Sequence, residues 1–269
     1  MDTPVLWHIP FSHYSEKVRW ALDYKGIAHR RRVLGSDYLI QVWRATGQGK
    51  LPVLWLDARA IADSTRIIAA IEGQYPEPPL YPRDTSARQH ALALEDDLDE
   101  TLGPALRAAV VTPLFRHDPD IALRVLTTGM GSKAYPGLRR LLRVFPWFYR
   151  FRHKISERNL ERDRAIVATA LDRIEHARQG RAYLVGEAFT VADLTAASLL
   201  GPLLQPPEIQ YPLQLELPPY LEDYRAMLLR HRPRNGRPAS TACIADTPRK
   251  LPGANDAQSL MPARRRPCT

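Results

Sequence analysis

The segment Pro10-Phe11-Ser12-His13-Tyr14-Ser15-Glu16-Lys17-Val18-Arg19-Trp20 joins a short apolar run to a helix-like pattern, and its chemistry starts at Ser12. A strand ending where a helix begins leaves backbone N–H groups unpaired. It also aims the positive end of the helix at whatever lies beside that serine. An anion is favoured in such a place, a thiolate included. Ser12-His13-Tyr14-Ser15 holds no cysteine, so dithiol exchange is excluded there. A serine hydroxyl can still donate a hydrogen bond to a bound thiolate and favour its ionised form. Taken alone, Ser12 or Ser15 reads more simply as a helix N-cap.

Two further features bear on that choice. Gly47-Gln48-Gly49-Lys50-Leu51-Pro52 sets a proline at the start of a buried-looking strand, where it is out of place unless needed. A cis bond there would leave the Leu51 N–H and C=O open to a peptide-like ligand. Asp63-Ser64 then stands at a helix start, offering a carboxylate, a hydroxyl and backbone N–H groups together. By itself this pair is an ordinary cap.

The elements that must position these residues alternate over the first 75 residues. Val5 to Ile9 reads as a strand, and Ser15 to Lys25 as a helix closed by Gly26. His29 to Val33 follows as an arginine-rich edge strand, then a weak helix over Tyr38 to Ala45. Leu51 to Leu56 and Ala60-Ile61 make a hairpin, and Ser64 to Gly73 a helix with Ile67, Ile68 and Ile71 on one face. The order β-α-β-α-β-β-α is a thioredoxin-like arrangement, although periodicity alone also permits other α/β folds. The proline-rich stretch 76–83 is read as a linker.

Residues 84–232 read as an all-α helical bundle, with helices over Thr85 to Val111, Glu157 to Arg178 and Pro219 to His231. Thr190-Val191-Ala192-Asp193 is a capping box behind Phe189, opening an Ala/Leu-rich helix. Residues 233–269 are read as a disordered basic, proline-rich tail.

Composition narrows the classes. Hydrophobic residues at 45% and charged residues at 25% are ordinary for a soluble globular protein. No signal peptide or membrane-length apolar run is found, so the expectation is a cytoplasmic protein without a transmembrane segment. The only cysteines, Cys243 and Cys268, lie in the tail, leaving no thiolate nucleophile in the folded part. Histidine spacing offers no metal site. The net charge of +9 resolves into +6 over His231–Thr269 (eight Lys/Arg, two Asp/Glu) and +7 over Lys133–Arg164 (ten and three), so the rest of the chain is mildly acidic. The basic segments avoid the candidate active domain and carry no recognition motif, so nucleic acid is not an expected partner. The triplet Arg264-Arg265-Arg266 is too short to read as more than a solvated cluster.

Together these pieces resemble the cytosolic glutathione transferases. The likeness runs through Phe11 to Trp20, Gly49-Lys50-Leu51-Pro52-Val53-Leu54, Asp63-Ser64 and Gly186 to Leu194, and spans roughly residues 4–231. It implies glutathione as co-substrate and no metal. It implies that Ser12 contacts the glutathione sulfur, as in serine-type members, and that Leu51 before a cis-type Pro52 pairs through its backbone with the cysteinyl part. Asp63 and Ser64 would hold the γ-glutamyl end, and Lys50 a carboxylate of the tripeptide. Tyr14, Leu106, Val110 and Phe115 would approach the second substrate, a small apolar electrophile. Arg19 and Thr190–Asp193 are assigned to folding.

A detoxifying homodimer is the expectation from the same resemblance. A non-catalytic ligand carrier on the same fold is the alternative, and retention of the whole set of site residues favours the enzyme. The segment 111–153, with Phe145-Pro146-Trp147-Phe148-Tyr149 among arginines, reads as short helices whose aromatics fill the core and whose arginines face water, ahead of a wall of the electrophile pocket, a membrane-facing surface or a partner contact.

Overall fold

The computed structural model describes residues 2–35, 37–130, 134–140, 144–153, 156–207 and 209–230. The tail expectation, both cysteines and the arginine triplet lie outside the described residues.

Strands β1 (Val5–His8), β2 (Arg30–Val33), β3 (Val53–Leu56) and β4 (Arg59–Ala62) form one sheet of order β2-β1-β3-β4. β1 and β2 run parallel, while β1–β3 and β3–β4 are antiparallel. The parallel pair needs a crossover, supplied by α1 (His13–Tyr24), whereas β3 and β4 are joined by the tight turn at Asp57-Ala58. Arginines at Arg30, Arg31 and Arg32 suit the edge position of β2. One face of the sheet is covered by α1 and α3 (Ser64–Gln74), burying Leu6, Val18, Leu22, Leu54, Ile67 and Ile71. α2 (Tyr38–Thr46) covers part of the other through Val42 against Leu34 and Val53.

After the linker the chain is helical: α4 (Thr85–Asp97), α5 (Gly103–His117), α6 (Pro119–Leu126), α7 (Ala134–Arg140), α8 (Phe145–His153), α9 (Leu160–Arg178), α10 (Val191–Leu204) and α11 (Pro219–Leu229). The single helix expected over Thr85 to Val111 is instead broken by one π turn, Leu98–Leu102. There the Gly103 N–H bonds back to the Leu98 carbonyl. The Asp99 carbonyl is taken by the Tyr14 hydroxyl, which donates at 2.8 Å. Only glycine fits at 103, since a Cβ would sit 2.3 Å from that hydroxyl oxygen.

The largest core crosses the linker. Trp20, Ala21 and Ile68 from the sheet domain are buried with Leu102, Leu106, Val167, Leu171 and the apolar residues of α10. Phe189 does more than precede a cap: its ring lies 6.0 Å from Trp20 and 5.1 Å from Tyr24, pinning α10 to α1. The capping box behind it is formed, with Asp193 accepting from the Thr190 N–H at 2.9 Å. Arg19 is buried, bonded to Glu16 at 2.6 Å, to the His8 ring and to the carbonyls of Ile9 and Pro10. Its geometry is that of a structural clamp. No helix among the described residues is long and apolar enough to cross a membrane.

The 111–153 segment departs in part from expectation. It is built of short helices, yet Trp147 (64% exposed) and Phe151 (73%) stack on each other at the surface and fill no core. α8 presents two faces, and of Trp147, Phe148, Tyr149 and Phe151 only Tyr149 is half-buried, 5.3 Å from Phe115.

Candidate active site

Between the sheet domain and α4, α5 and α9 lies a cleft of about 2030 Å³. Ser12, Lys50, Leu51, Pro52, Asp63 and Ser64 all line it, although they come from three separate loops. Tyr14, Leu106 and Val110 line it as well. Phe115 does not: it is buried with Leu114, Ala122 and Leu221 in a satellite core. One residue along a helix turns the side chain by about 100°, and Leu114 takes the wall position instead.

Ser12 is the N-cap of α1, its oxygen accepting from the Ser15 N–H at 3.4 Å. Cap and site residue are therefore the same side chain. The hydroxyl proton has no acceptor among the described residues, so it can donate into the cleft. Ser15 is fully buried and its oxygen accepts from the Ile9 N–H. Tyr14 is the other hydroxyl near this point, but its proton is committed to the Asp99 carbonyl. Burial, reinforced by Asp99 and Asp63 against the opposing pull of Arg107, pushes its phenol up to about 12. Of these three hydroxyls, Ser12 alone is free to donate to a ligand.

The Leu51–Pro52 peptide bond is cis, as the misplaced proline led one to expect. The loop before it is held by Gln48, which accepts from the Lys50 N–H at 2.5 Å and donates to the Lys50 carbonyl at 2.8 Å. The Lys50 side chain is exposed at the rim.

Asp63 caps α3 with φ +77°, a left-handed conformation costing roughly 1–3 kcal/mol in a non-glycine residue. One carboxylate oxygen accepts from the Thr65 and Arg66 N–H groups at 3.1 and 3.3 Å. The other has no partner among the described residues and is available to an ammonium group. Beneath the pair, the Thr65 hydroxyl donates to Asp99 at 3.1 Å, and Asp99 also binds Lys17 at 2.5 Å. Lys17 is wholly buried and pairs with Glu95 at 2.8 Å. Burial raises the pKa of both carboxyls, with Lys17 opposing it. This floor escaped the sequence reading, because Lys17 and its partners lie 78 and 82 residues apart.

Arg107 was missed too. From α5 it donates to His13 Nε2 at 3.3 Å and to His153 Nδ1 at 3.2 Å, and its guanidinium lies over the Tyr14 ring at 5.4 Å. Both imidazoles act as acceptors and so are neutral. Burial first, then Arg107, holds His13 well below its usual value, and burial with Arg107, Arg152 and Lys50 brings His153 down to about 4.

A depressed histidine pKa contributes stability that is full above the unfolded value of 6.5 and is lost as pH falls towards the folded one. His153→Gln removes that dependence. The stability difference between the wild type and this variant should therefore shrink between pH 6.5 and about 4, as read by urea unfolding at several pH values. A difference that stays constant or grows on acidification contradicts the neutral imidazole.

Two family models match this chain. The glutathione S-transferase N-terminal domain matches residues 6–79, and the glutathione S-transferase C-terminal domain matches residues 141–230. The chain belongs to the glutathione S-transferase family. No curated protein matches it by sequence. Among solved structures, beta-etherase LigF from Sphingobium sp. strain SYK-6 is similar with a TM-score of 0.57 at 19% identity, over 91% of this chain and 100% of that one. A glutathione S-transferase from Methylobacillus flagellatus KT with glutathione bound gives 0.56 at 21% identity, over 85% and 92%. Another, from Methylobacterium radiotolerans JCM 2831 in complex with glutathione sulfonate, gives 0.54 at 24%, over 91% and 94%. At these identities the likeness is one of fold.

Proposed function

We propose that this family member is a glutathione transferase in which Ser12 donates a hydrogen bond to the glutathione thiolate, which then attacks a small electrophile held against α5. The observation that carries the reading is the free Ser12 hydroxyl at the mouth of α1, in the same cleft as the Leu51 backbone and the open oxygen of Asp63. The sulfur loses its proton to solvent, the sulfur–carbon bond forms, and the leaving group departs with its electron pair. Two effects accelerate the step: a lowered thiol pKa and alignment of the two reactants. Leu51 pairs with the cysteinyl backbone, Asp63 and Ser64 hold the γ-glutamyl amine and carboxylate, and Lys50 takes a carboxylate of the tripeptide. Leu106, Val110 and the Tyr14 ring shape the second subsite. A homodimer is part of the same proposal, resting on family membership.

Calorimetric titration of the full chain with glutathione tests it. Saturable binding is expected, and Asp63→Ala with Ser64→Ala should weaken it at least about tenfold, because charge-assisted contacts are lost. No heat up to millimolar glutathione would sink the assignment of the tripeptide.

A further inference from the structure

One end of the cleft carries cations without anions. Arg107 lies in the wall of the second subsite, half-buried, and its hydrogen-bond partners there are two neutral imidazoles. Arg152 reaches the same region from α8 and donates to the Gly49 carbonyl, and Lys50 stands at the rim beside it. Lys50 is exposed, but the two half-buried arginines form no ion pair among the described residues, although most other partly buried arginines and lysines do. The charges acting on His153 are Arg107, Arg152 and Lys50, and those on His13 are Arg107 and His153, with no carboxylate among them. The carboxylates Asp63 and Asp99 act on Tyr14, whose ring Arg107 covers, but Asp99 is already paired with Lys17 and neither forms an ion pair with Arg107.

A guanidinium has five N–H donors in a planar fork, and imidazole nitrogens are weak, single-point partners for it. A half-buried arginine so placed is oriented but not neutralised. Around it the wall is aromatic, from Tyr14, Phe148 and Tyr149, with Leu106 and Val110 beyond. Charge and wall together describe one class of ligand: an aromatic body bearing an acidic group.

We propose that Arg107, oriented by His13 and His153 and backed by Arg152, binds the carboxylate of an aromatic acid, so that the second substrate of this cleft is an organic anion. The proposal rests on the transferase reading for the word substrate, but the binding site itself does not. His13 and His153 are positioning residues that aim the guanidinium and leave its charge uncancelled.

The probes are 3-nitrobenzoate and its neutral counterpart 3-nitrobenzamide, titrated by calorimetry into the full chain without glutathione. The carboxylate is expected to bind about tenfold or more tightly than the amide, the difference made by a charge-assisted bidentate contact. Arg107→Met, which keeps the aliphatic stem, should abolish that preference by bringing the affinity of the acid down to that of the amide. Arg107→Lys keeps the charge on a similar stem and should retain part of the preference, which separates a lost contact from a lost fold.

Equal affinity for acid and amide, no measurable binding of the acid, or a preference that survives in Arg107→Met overturns the proposal. So does a weakened glutathione affinity in Arg107→Met, since the arginine would then serve the tripeptide. Binding of the acid by a protein that ignores glutathione sustains this site and removes the transferase reading, and the reverse result removes this site alone.

Discussion

Ser12→Ala is expected to lower kcat/KM for thiol transfer by about 10²–10³-fold, the effect of deleting one preorganised donor to a developing or resident anion. The affinity for glutathione should change by less than about twofold, because the γ-glutamyl and cysteinyl contacts stay in place. Nothing nearby can substitute. Tyr14 has its proton on the Asp99 carbonyl, and Ser15 is buried with its oxygen on the Ile9 N–H. The thiolate absorbance of bound glutathione, followed against pH, separates the role from a structural one. The bound thiol pKa should rise towards that of the free tripeptide in the variant while the helix cap, worth about 1 kcal/mol, is lost in either case. Parallel losses in binding and turnover, with an unchanged thiol pKa, would place Ser12 in the scaffold.

Lys17→Met is expected to be the most destabilising single change in the molecule. The ammonium, with its side chain 0% exposed, is shared by Glu95 (0%) and Asp99 (14%). Removing it leaves two carboxyls buried without a cation, and breaking such a pair costs about 3–5 kcal/mol. That is a large part of the roughly 5–15 kcal/mol that holds a domain folded. Both carboxyls already have raised pKa values, and without Lys17 they rise further. Such a group favours the folded state below its unfolded pKa and disfavours it as pH climbs past the folded one, so the deficit of the variant should be greatest at neutral pH and shrink on acidification. Urea denaturation at pH 7 and pH 5 measures both. A deficit under about 1 kcal/mol, the range of exposed pairs, would mean that the triad is solvated.

What was legible in the sequence was local. The strands and helices from Val5 to Gln74 follow from period and from Gly and Pro placement, and each was expected within a few residues of its place. The capping box needs partners three residues apart, and the Thr190–Asp193 contact spans that interval. The Asp63-Ser64 helix start and the proline at residue 52 were readable for the same reason. What was hidden is long-range. Arg107 meets its histidines 46 and 94 residues away, and nothing in the pattern of α5 distinguishes it from a solvated arginine. Lys17 sat inside a recognisable motif, but its function as the counter-ion of α4 depends on how α1 docks. The π turn was invisible because it exists to free one carbonyl for Tyr14, and helical spacing carries no trace of that. Phe115 failed by one residue, since a long apolar stretch does not show which of two neighbours faces the cleft.

The shared core has a bearing on modularity. Trp20, Ala21 and Ile68 of the sheet domain are buried in one core with Phe189 and the apolar residues of α10. Cut at the linker, each half would bare a broad apolar face, so neither is a portable unit. Recombination with another family member would therefore succeed at the α1–α10 seam only if both of its faces travelled together. Specificity in this chain is best re-engineered from within α5 and α8, by substitution, and not by exchange of domains.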